Sequence, residues 1–408
     1  MNLLTRNGIQ QGLRIPSGAL YAAVVLVSAF VMLSRALPLQ GTPFALIITV
    51  LVLFYLPGIL LARFLGKLAL AHPVQRFCWV LVSAFGITAS LGALLRLLQV
   101  PVSGYILCLH LLMLFMALAP VKPPAAGPSW RLTFGNAPLY LLLAVSCVVV
   151  LYVALERGRF RFDGYEDQTV FAELADWLSH EPAEPGIRSR RIGVLTGDAR
   201  WDMDGWTYTH AVWVWASGVP AAELIWFNLT PLFVWTVPLA LFGMAYELTR
   251  REDAAAYAVA LAVAFGLMTI DALVYYKTWL TFGQFALFQV NTLRTISTAL
   301  VTPLALIPVF AYLHQPARRY LPLILLAGIT VATMHPRQAV IYLYSVAATT
   351  LLWWLARPER KRFVRAAALA AVLVLVASVP LVQRLQRPSA GAETARRLAE
   401  VAGATDRD

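Results

Sequence analysis

Apolar runs of nearly membrane-spanning length follow one another along most of the chain, and short polar stretches separate them. A helix that crosses a bilayer needs about 20 mostly apolar residues. The pattern predicts an all-α polytopic membrane protein with about 11 transmembrane helices. The predicted helices cover residues 17–33, 44–62, 77–95, 105–119, 139–155, 222–246, 254–274, 296–313, 321–334, 339–354 and 366–382.

One sizeable polar stretch, residues 156–221, interrupts this pattern. The first four predicted helices contain few polar residues, whereas Asp, Asn, His and Arg interrupt the later seven, so we interpret the former as a packing module and the latter as a working core. The predicted division is an N-terminal four-span module (1–136), a first core span (137–155), an extracytoplasmic loop (156–221), a six-span membrane core (222–383) and an extracytoplasmic tail (384–408).

Composition agrees with a membrane protein. Apolar residues make up 60% of the chain and charged residues 13%, against about 45–50% and about 25% in soluble domains. This balance excludes soluble, disordered and fibrous classes. The three cysteines lie inside apolar runs without paired spacing, which predicts neither a disulfide framework nor a zinc site.

The net charge of +12 is distributed as in membrane proteins. Lys and Arg form short clusters between the apolar runs, and such clusters favour the cytoplasmic side of a membrane. With the N-terminus inside, cytoplasmic segments hold 16 of these residues and the short outer loops hold five. We therefore expect a multi-pass plasma (inner) membrane protein with a cytoplasmic N-terminus, an outer loop and C-terminus, and no nucleic-acid partner.

An acidic cluster, Asp163, Glu166 and Asp167, begins the long loop. Apolar residues then recur at helical spacing over 170–178, which predicts an amphipathic helix on the membrane surface. Such a helix would hold the acidic cluster at the outer water–lipid boundary. A carboxylate there can take a proton from a water-borne acceptor while it faces a lipid-borne donor. The alternative is that these acids are ordinary solvated loop charges.

A second acidic pair, Asp202 and Asp204, lies in the sequence WDMDGW. In an extended segment both carboxylates point to one side, which suits a divalent cation such as Mg²⁺ or Mn²⁺. A lone Asp-x-Asp pair also occurs by chance.

Four cationic residues, Lys277, Arg294, His335 and Arg337, fall on the predicted outer side and are called the outer cationic group. The predicted helix before His335 has about 15 residues and a length of about 23 Å, against a hydrocarbon core of about 30 Å. The turn at His335 is therefore expected below the outer surface, where cationic groups are costly unless they bind an anion such as a lipid phosphate. An external turn with a snorkelling arginine is the alternative.

The layout resembles the GT-C superfamily of integral-membrane glycosyltransferases over about residues 139–382. An acidic residue just after a span and an amphipathic outer helix precede WTYTHAVWVWASGVPAAELIWFNLTPLFVWTVPLALFGMAYELTRR. Tyr208, His210, Gly218, Pro220 and the Arg250–Arg251 pair occupy the places of an aromatic residue, a histidine, a small-residue turn and the basic end of a long span. The acidic loop follows the fifth span rather than the first, which we attribute to the added four-span module.

The resemblance implies sugar transfer, with inversion, from a polyprenyl-phosphate carrier to a glycan, lipid or protein acceptor on the outer side. Asp163 would be the general base, with Asp167 or Glu166 in its place otherwise. The outer cationic group would bind the lipid phosphate. A cation at Asp202 and Asp204 would neutralise the same charge, although some members of the superfamily need none.

Two other classes of function remain open. A transporter or flippase for a lipid-linked or anionic substrate would also use charged residues within the membrane. It would leave the acidic cluster without a role, and transporters often contain internal repeats, of which the sequence shows none by eye. A non-catalytic membrane protein of envelope assembly would use the long loop as a docking surface.

Overall fold

The computed structural model describes residues 17–120 apart from 69, 71 and 99, then residues 132–158, 175, 176, 179, 205–276 and 296–385. The regular structure of this part of the chain is helical throughout. Its helices are α1 Ser17–Leu33, α2 Pro43–Phe64, α3 Pro73–Leu97, α4 Val102–Leu118, α5 Ala137–Gly158, α6 Gly205–Ser217, α7 Leu229–Thr249, α8 Glu252–Tyr276, α9 Ser297–His314, α10 Tyr320–Met334, α11 Pro336–Leu355 and α12 Arg360–Leu385.

The apolar composition of these helices indicates a membrane-embedded protein. Seven are long and apolar enough to cross a bilayer, namely α2, α3, α5, α7, α9, α11 and α12, and α1, α4 and α10 are shorter apolar helices. The prediction of an all-helical membrane fold is confirmed at this level for the described residues. Each of the eleven predicted segments overlaps a helix, and the number that cross the membrane remains a prediction.

Burial separates central from peripheral helices. Most of α3 and α9 is buried, whereas fewer than a third of the residues in the apolar stretches of α5, α11 and α12 are buried. The exposed positions on these outer helices carry large apolar side chains, among them Leu141, Leu352 and Val374, each about two-thirds exposed. Apolar side chains so arranged around a bundle are solvated by lipid tails rather than by water.

Helix α3 is the centre of the bundle and packs against α2, α6, α7, α9 and α10. Small residues allow close approach of helix backbones, and α3 uses them on several faces. Gly92 lies against the backbone of Gly205 in α6, and Cys78 lies against Gly243 in α7. Helix α3 thus contacts helices on both sides of the predicted boundary at residue 136, and the division into a module and a core remains a prediction.

Three π turns occur among the described residues, and a proline follows each of them by two or three residues. The turns are Leu51–Tyr55 in α2, Leu224–Asn228 just before α7, and Ser297–Val301 at the start of α9. Proline has no N–H to donate to the carbonyl four residues earlier. For Pro57, Pro231 and Pro303 that carbonyl lies inside the turn, so the wider turn accommodates a missing α-helical hydrogen bond.

Side chains satisfy part of the backbone that these turns leave without α-helical partners. The Asn228 amide donates to the Glu223 carbonyl over 3.1 Å, and the Thr302 hydroxyl donates to the Ser297 carbonyl over 2.6 Å. A further proline, Pro238, lies four residues after Val234, where α7 is interrupted over Val234–Trp235. The interruption has the same cause, because Pro238 cannot donate to the Val234 carbonyl.

Candidate functional site

Most of the residues that the sequence analysis proposed for a site lie outside the described part of the structure. These are the acidic cluster (Asp163, Glu166 and Asp167), the pair Asp202 and Asp204, and the cations Lys277 and Arg294. Of the predicted amphipathic helix, Ala175 and Asp176 are described. Both are helical, with Ala175 buried and Asp176 exposed.

His335 lies between α10 and α11. Its backbone is extended, with φ −155° and ψ 115°, because Pro336 follows it and disfavours the helical conformation in the preceding residue. Pro336 then begins α11, where a missing N–H carries no cost. The His335 side chain is half-buried, whereas the Arg337 side chain lies outside the described residues. The 15 residues of α10 agree with the short helix expected before this turn.

The start of α6 and the end of α10 meet the same turn of α3. A side chain at Gly205 would collide with the carbonyl oxygen of Ala89 in α3. The neighbouring Ser90 donates to Leu326 in α10 over 2.9 Å, and its hydroxyl lies 3.4 Å from that of Thr330. His335 follows Thr330 by five residues, or about 7.5 Å of helical rise. The residue after Asp204 and the helix that ends at His335 are thus neighbours.

Helix α6 carries an aromatic–histidine cluster, which consists of Trp206, His210 and Trp213. The His210 ring centroid lies 4.8 Å from that of Trp206 and 5.4 Å from that of Trp213. Phenylalanines from three other helices surround the two indoles, namely Phe54 of α2, Phe85 of α3 and Phe233 of α7. Phe54 itself belongs to a π turn, and π turns are frequent at functional sites.

Three polar atoms of this cluster, on His210 and Trp213, are buried without partners among the described residues. His210 is 3% exposed, and neither ring nitrogen has a hydrogen-bond partner there. The indole nitrogen of Trp213 is also buried and unpaired. A buried polar group left without a partner costs about 1–3 kcal/mol. Three such atoms occur together here, and buried polar atoms without partners are rare enough in native proteins to need an explanation.

The sequence analysis assigned residues 205–217 to the long extracytoplasmic loop and did not predict α6 or its cluster. In the structure this segment is helical, because α6 packs against α2, α3, α4 and α10 and is buried along almost its whole length; its assignment to the extracytoplasmic side remains a prediction. A signal was present, since Trp206, His210 and Trp213 follow the i, i+4, i+7 spacing of one helical face. Helix α6 has 13 residues, which are too few to span a bilayer. A search for apolar runs of spanning length therefore does not detect it.

A second polar cluster lies at the other end of α3 and is called the Glu247 network. Glu247 of α7 is 1% exposed, accepts a hydrogen bond from the Gln75 amide over 3.0 Å, and lies 2.6 Å from the Arg250 guanidinium. The ammonium of Lys67 lies 4.3 Å from the ring centroid of Trp79 and 4.6 Å from that of Tyr320. Each buried charged group of this network has a partner of its own. We therefore interpret the network as a structural contact between helices.

His72 belongs to the same end and precedes α3 as its N-cap. Its Nδ1 accepts a hydrogen bond from the Gln75 backbone N–H over 3.3 Å, and its Nε2 lies 2.5 Å from the Tyr140 hydroxyl. Burial lowers the pKa of His72, and the carboxylate of Glu252, 3.7 Å away, acts in the opposite direction. Since Nδ1 accepts, the neutral ring carries its proton on Nε2.

No three His, Cys, Asp or Glu side chains within the described ranges lie close enough together to hold a metal ion. The carboxylates of Asp202 and Asp204 have the oxygen ligands that Mg²⁺ or Mn²⁺ prefers. They fall outside these ranges. Comparison of the chain with protein-family models, with curated proteins and with solved structures gives no match.

Proposed function

We propose that this protein is an integral-membrane glycosyltransferase of the GT-C kind. It moves a sugar from a polyprenyl-phosphate carrier to a glycan, lipid or protein acceptor on the extracytoplasmic side of the plasma (inner) membrane. In this proposal eleven helices cross the membrane, the N-terminus is cytoplasmic, and the loop and C-terminus are outside. The donor and the surrounding lipids are its partners.

The position of α6 supports this proposal most. A solvated loop or a docking surface would have no need to enter the bundle, yet the segment that follows Asp204 continues directly into a helix buried against α3. This helix also contacts α10, which ends at His335. The acidic loop and a member of the outer cationic group are therefore joined to neighbouring helices, as a shared site requires.

The proposed step is a displacement at the anomeric carbon of the donor. Asp163 takes the proton of an acceptor hydroxyl, and the acceptor oxygen bonds to the anomeric carbon from the side opposite the phosphate. The bond from that carbon to the phosphate oxygen breaks, and polyprenyl phosphate leaves with the electron pair. Configuration is inverted. The outer cationic group stabilises the phosphate as its charge develops.

A divalent cation held by Asp202 and Asp204 would add positive charge beside the same leaving group. This contribution is separate from proton transfer by Asp163. Chelation of divalent cations would therefore lower the rate of transfer without changing which carboxylate acts as the base.

The proposal is tested in a strain that lacks the protein, with mass spectrometry of its envelope glycans. We expect a glycan species to be lost and to return with the wild-type gene. Asp163→Asn should fail to restore it at normal protein abundance, because an amide cannot take the proton. Asp253→Asn is the matched control, since this exposed carboxylate lies in the first turn of α8 and pairs with Arg251 just before that helix.

Two results would contradict the proposal. Restoration of the glycan by Asp163→Asn, Asp167→Asn and Glu166→Gln alike would exclude the acidic cluster as the base. Purified protein that moves labelled sugar lipid across liposomes, without formation of a new glycosidic bond when acceptors are present, would identify a flippase instead.

A further inference from the structure

We propose that His210 and Trp213 form the subsite that binds the neutral sugar ring of the donor, an inference that rests on the proposed transferase function. The acidic cluster and the outer cationic group serve the proton and the phosphate. Neither set explains how the protein recognises the sugar that it transfers. The aromatic–histidine cluster supplies groups of the appropriate chemistry.

Hydrogen-bonding capacity is the first argument. A neutral imidazole donates at one ring nitrogen and accepts at the other, and an indole donates at its nitrogen. In the described structure all three of these nitrogens, Nδ1 and Nε2 of His210 and Nε1 of Trp213, are buried without a partner. A ligand that carries both donors and acceptors would satisfy them together, and sugar hydroxyls have both capacities.

The second argument is the charge around the cluster, as far as the described residues show it. None of the ion pairs in the described part of the chain involves the cluster, and its neighbours Phe54, Phe85 and Phe233 are aromatic hydrocarbons. A phosphate would need cationic partners. The cluster therefore selects a neutral group, with ring faces that can pack on the C–H surfaces of a sugar.

The flanking helices provide a way to open the cluster. The nitrogens of His210 and Trp213 are buried in this state, so the sugar must enter as neighbouring segments shift. Phe54 lies in a π turn, and Phe233 directly precedes the interruption of α7 at Val234–Trp235. These positions already lack regular helical hydrogen bonds, so a shift there breaks fewer of them than a shift in an intact helix.

The test compares binding of farnesyl phosphate with binding of farnesyl-phosphoryl mannose, glucose, galactose and arabinose. Protein is reconstituted in phospholipid nanodiscs without glycoside detergents, which carry sugars of their own. The Kd of each probe is measured by competition with a labelled sugar lipid or by native mass spectrometry. We expect at least one sugar lipid to bind wild-type protein about tenfold tighter than farnesyl phosphate, the effect of about one hydrogen bond.

Variants assign this preference to the cluster. His210→Leu should remove it and leave farnesyl phosphate binding unchanged, while His210→Gln, whose amide can both donate and accept hydrogen bonds, should keep part of it. Trp213→Phe retains a ring and loses the N–H, so it tests the subsite even where His210→Leu does not fold. His110→Leu is the matched control, because His110 is equally buried in α4 and both its nitrogens have partners.

The outcomes separate the subsite from the transferase function. Loss of the preference in His210→Leu or Trp213→Phe, with retention in His110→Leu, supports the subsite. A preference that survives both cluster variants overturns the subsite and leaves the transferase proposal standing. No preference for any sugar lipid in wild-type protein contradicts both proposals.

Discussion

His110 and His210 are two histidines of equal burial and opposite environment. Each is 3% exposed. In α4, Nδ1 of His110 donates to the Ile106 carbonyl over 2.7 Å, and Nε2 lies 3.2 Å from the Ser28 hydroxyl of α1. In α6, His210 has aromatic rings beside it and no hydrogen-bond partner in the described structure.

The difference indicates that His110 stabilises the fold through hydrogen bonds, whereas His210 does not. The hydrogen bonds of His110 connect α4 to α1 and repay the burial of its ring. His210 brings desolvated polar atoms into an aromatic environment and gains only ring contacts. Sites that bind ligands often keep groups that reduce stability, and this is the interpretation we give to His210.

The largest expected effect comes from the contact that inserts α6 into the bundle. Gly205→Ala would place a methyl group against the backbone of α3 at Ala89. We expect a loss of about 3 kcal/mol in the free energy of unfolding, because neither backbone can move away easily. Chemical denaturation monitored by tryptophan fluorescence measures this. Gly135→Ala, in an exposed turn where the added methyl group would lie 3.8 Å from the Thr133 hydroxyl oxygen in ordinary van der Waals contact, should change little. Equal stability of the two variants would show that α6 is not fixed against α3.

The next largest effect is expected at His110, whose two ring nitrogens both have hydrogen-bond partners. His110→Leu removes hydrogen bonds to Ile106 and Ser28 and should cost about 2 kcal/mol in the free energy of unfolding. The same denaturation experiment applies. Ser28→Ala removes the partner of Nε2 and should cost part of this amount. If His110→Leu unfolds like wild type, hydrogen bonding does not distinguish the two histidines.

A smaller effect concerns pH and His72. Because burial lowers the pKa of His72, the unfolded chain binds more protons than the folded protein at acidic pH. The contribution of neutral His72 to the free energy of unfolding should therefore be present above about pH 6.5 and be lost as the pH falls below that value. His72→Asn keeps an N-cap acceptor and removes the titration. The variant should show a flatter dependence of unfolding on pH between 7.5 and 5.5, and an unchanged slope would contradict the assignment.

The sequence predicted most of the described helices, but it did not predict α6 or its aromatic–histidine cluster. Apolar runs locate spanning helices because lipid requires length and composition, and every predicted run overlaps a helix. Helix α6 was missed because its burial depends on contacts such as Gly92 with Gly205, which are distant in sequence. The pairing of His110 with Ser28 is equally non-local. Periodicity therefore could not distinguish the two histidines, whereas tertiary contacts do.

The most direct test of the account is the stability of ligand-free His210→Leu beside wild type and His110→Leu. We expect His210→Leu to be as stable as wild type or up to about 1 kcal/mol more stable, because it removes unpaired polar atoms from an apolar environment. Denaturation in a detergent without sugar measures all three proteins under one condition. A loss of stability as large as that of His110→Leu would show that His210 is a structural residue, and would contradict the claim that it is kept to bind a ligand.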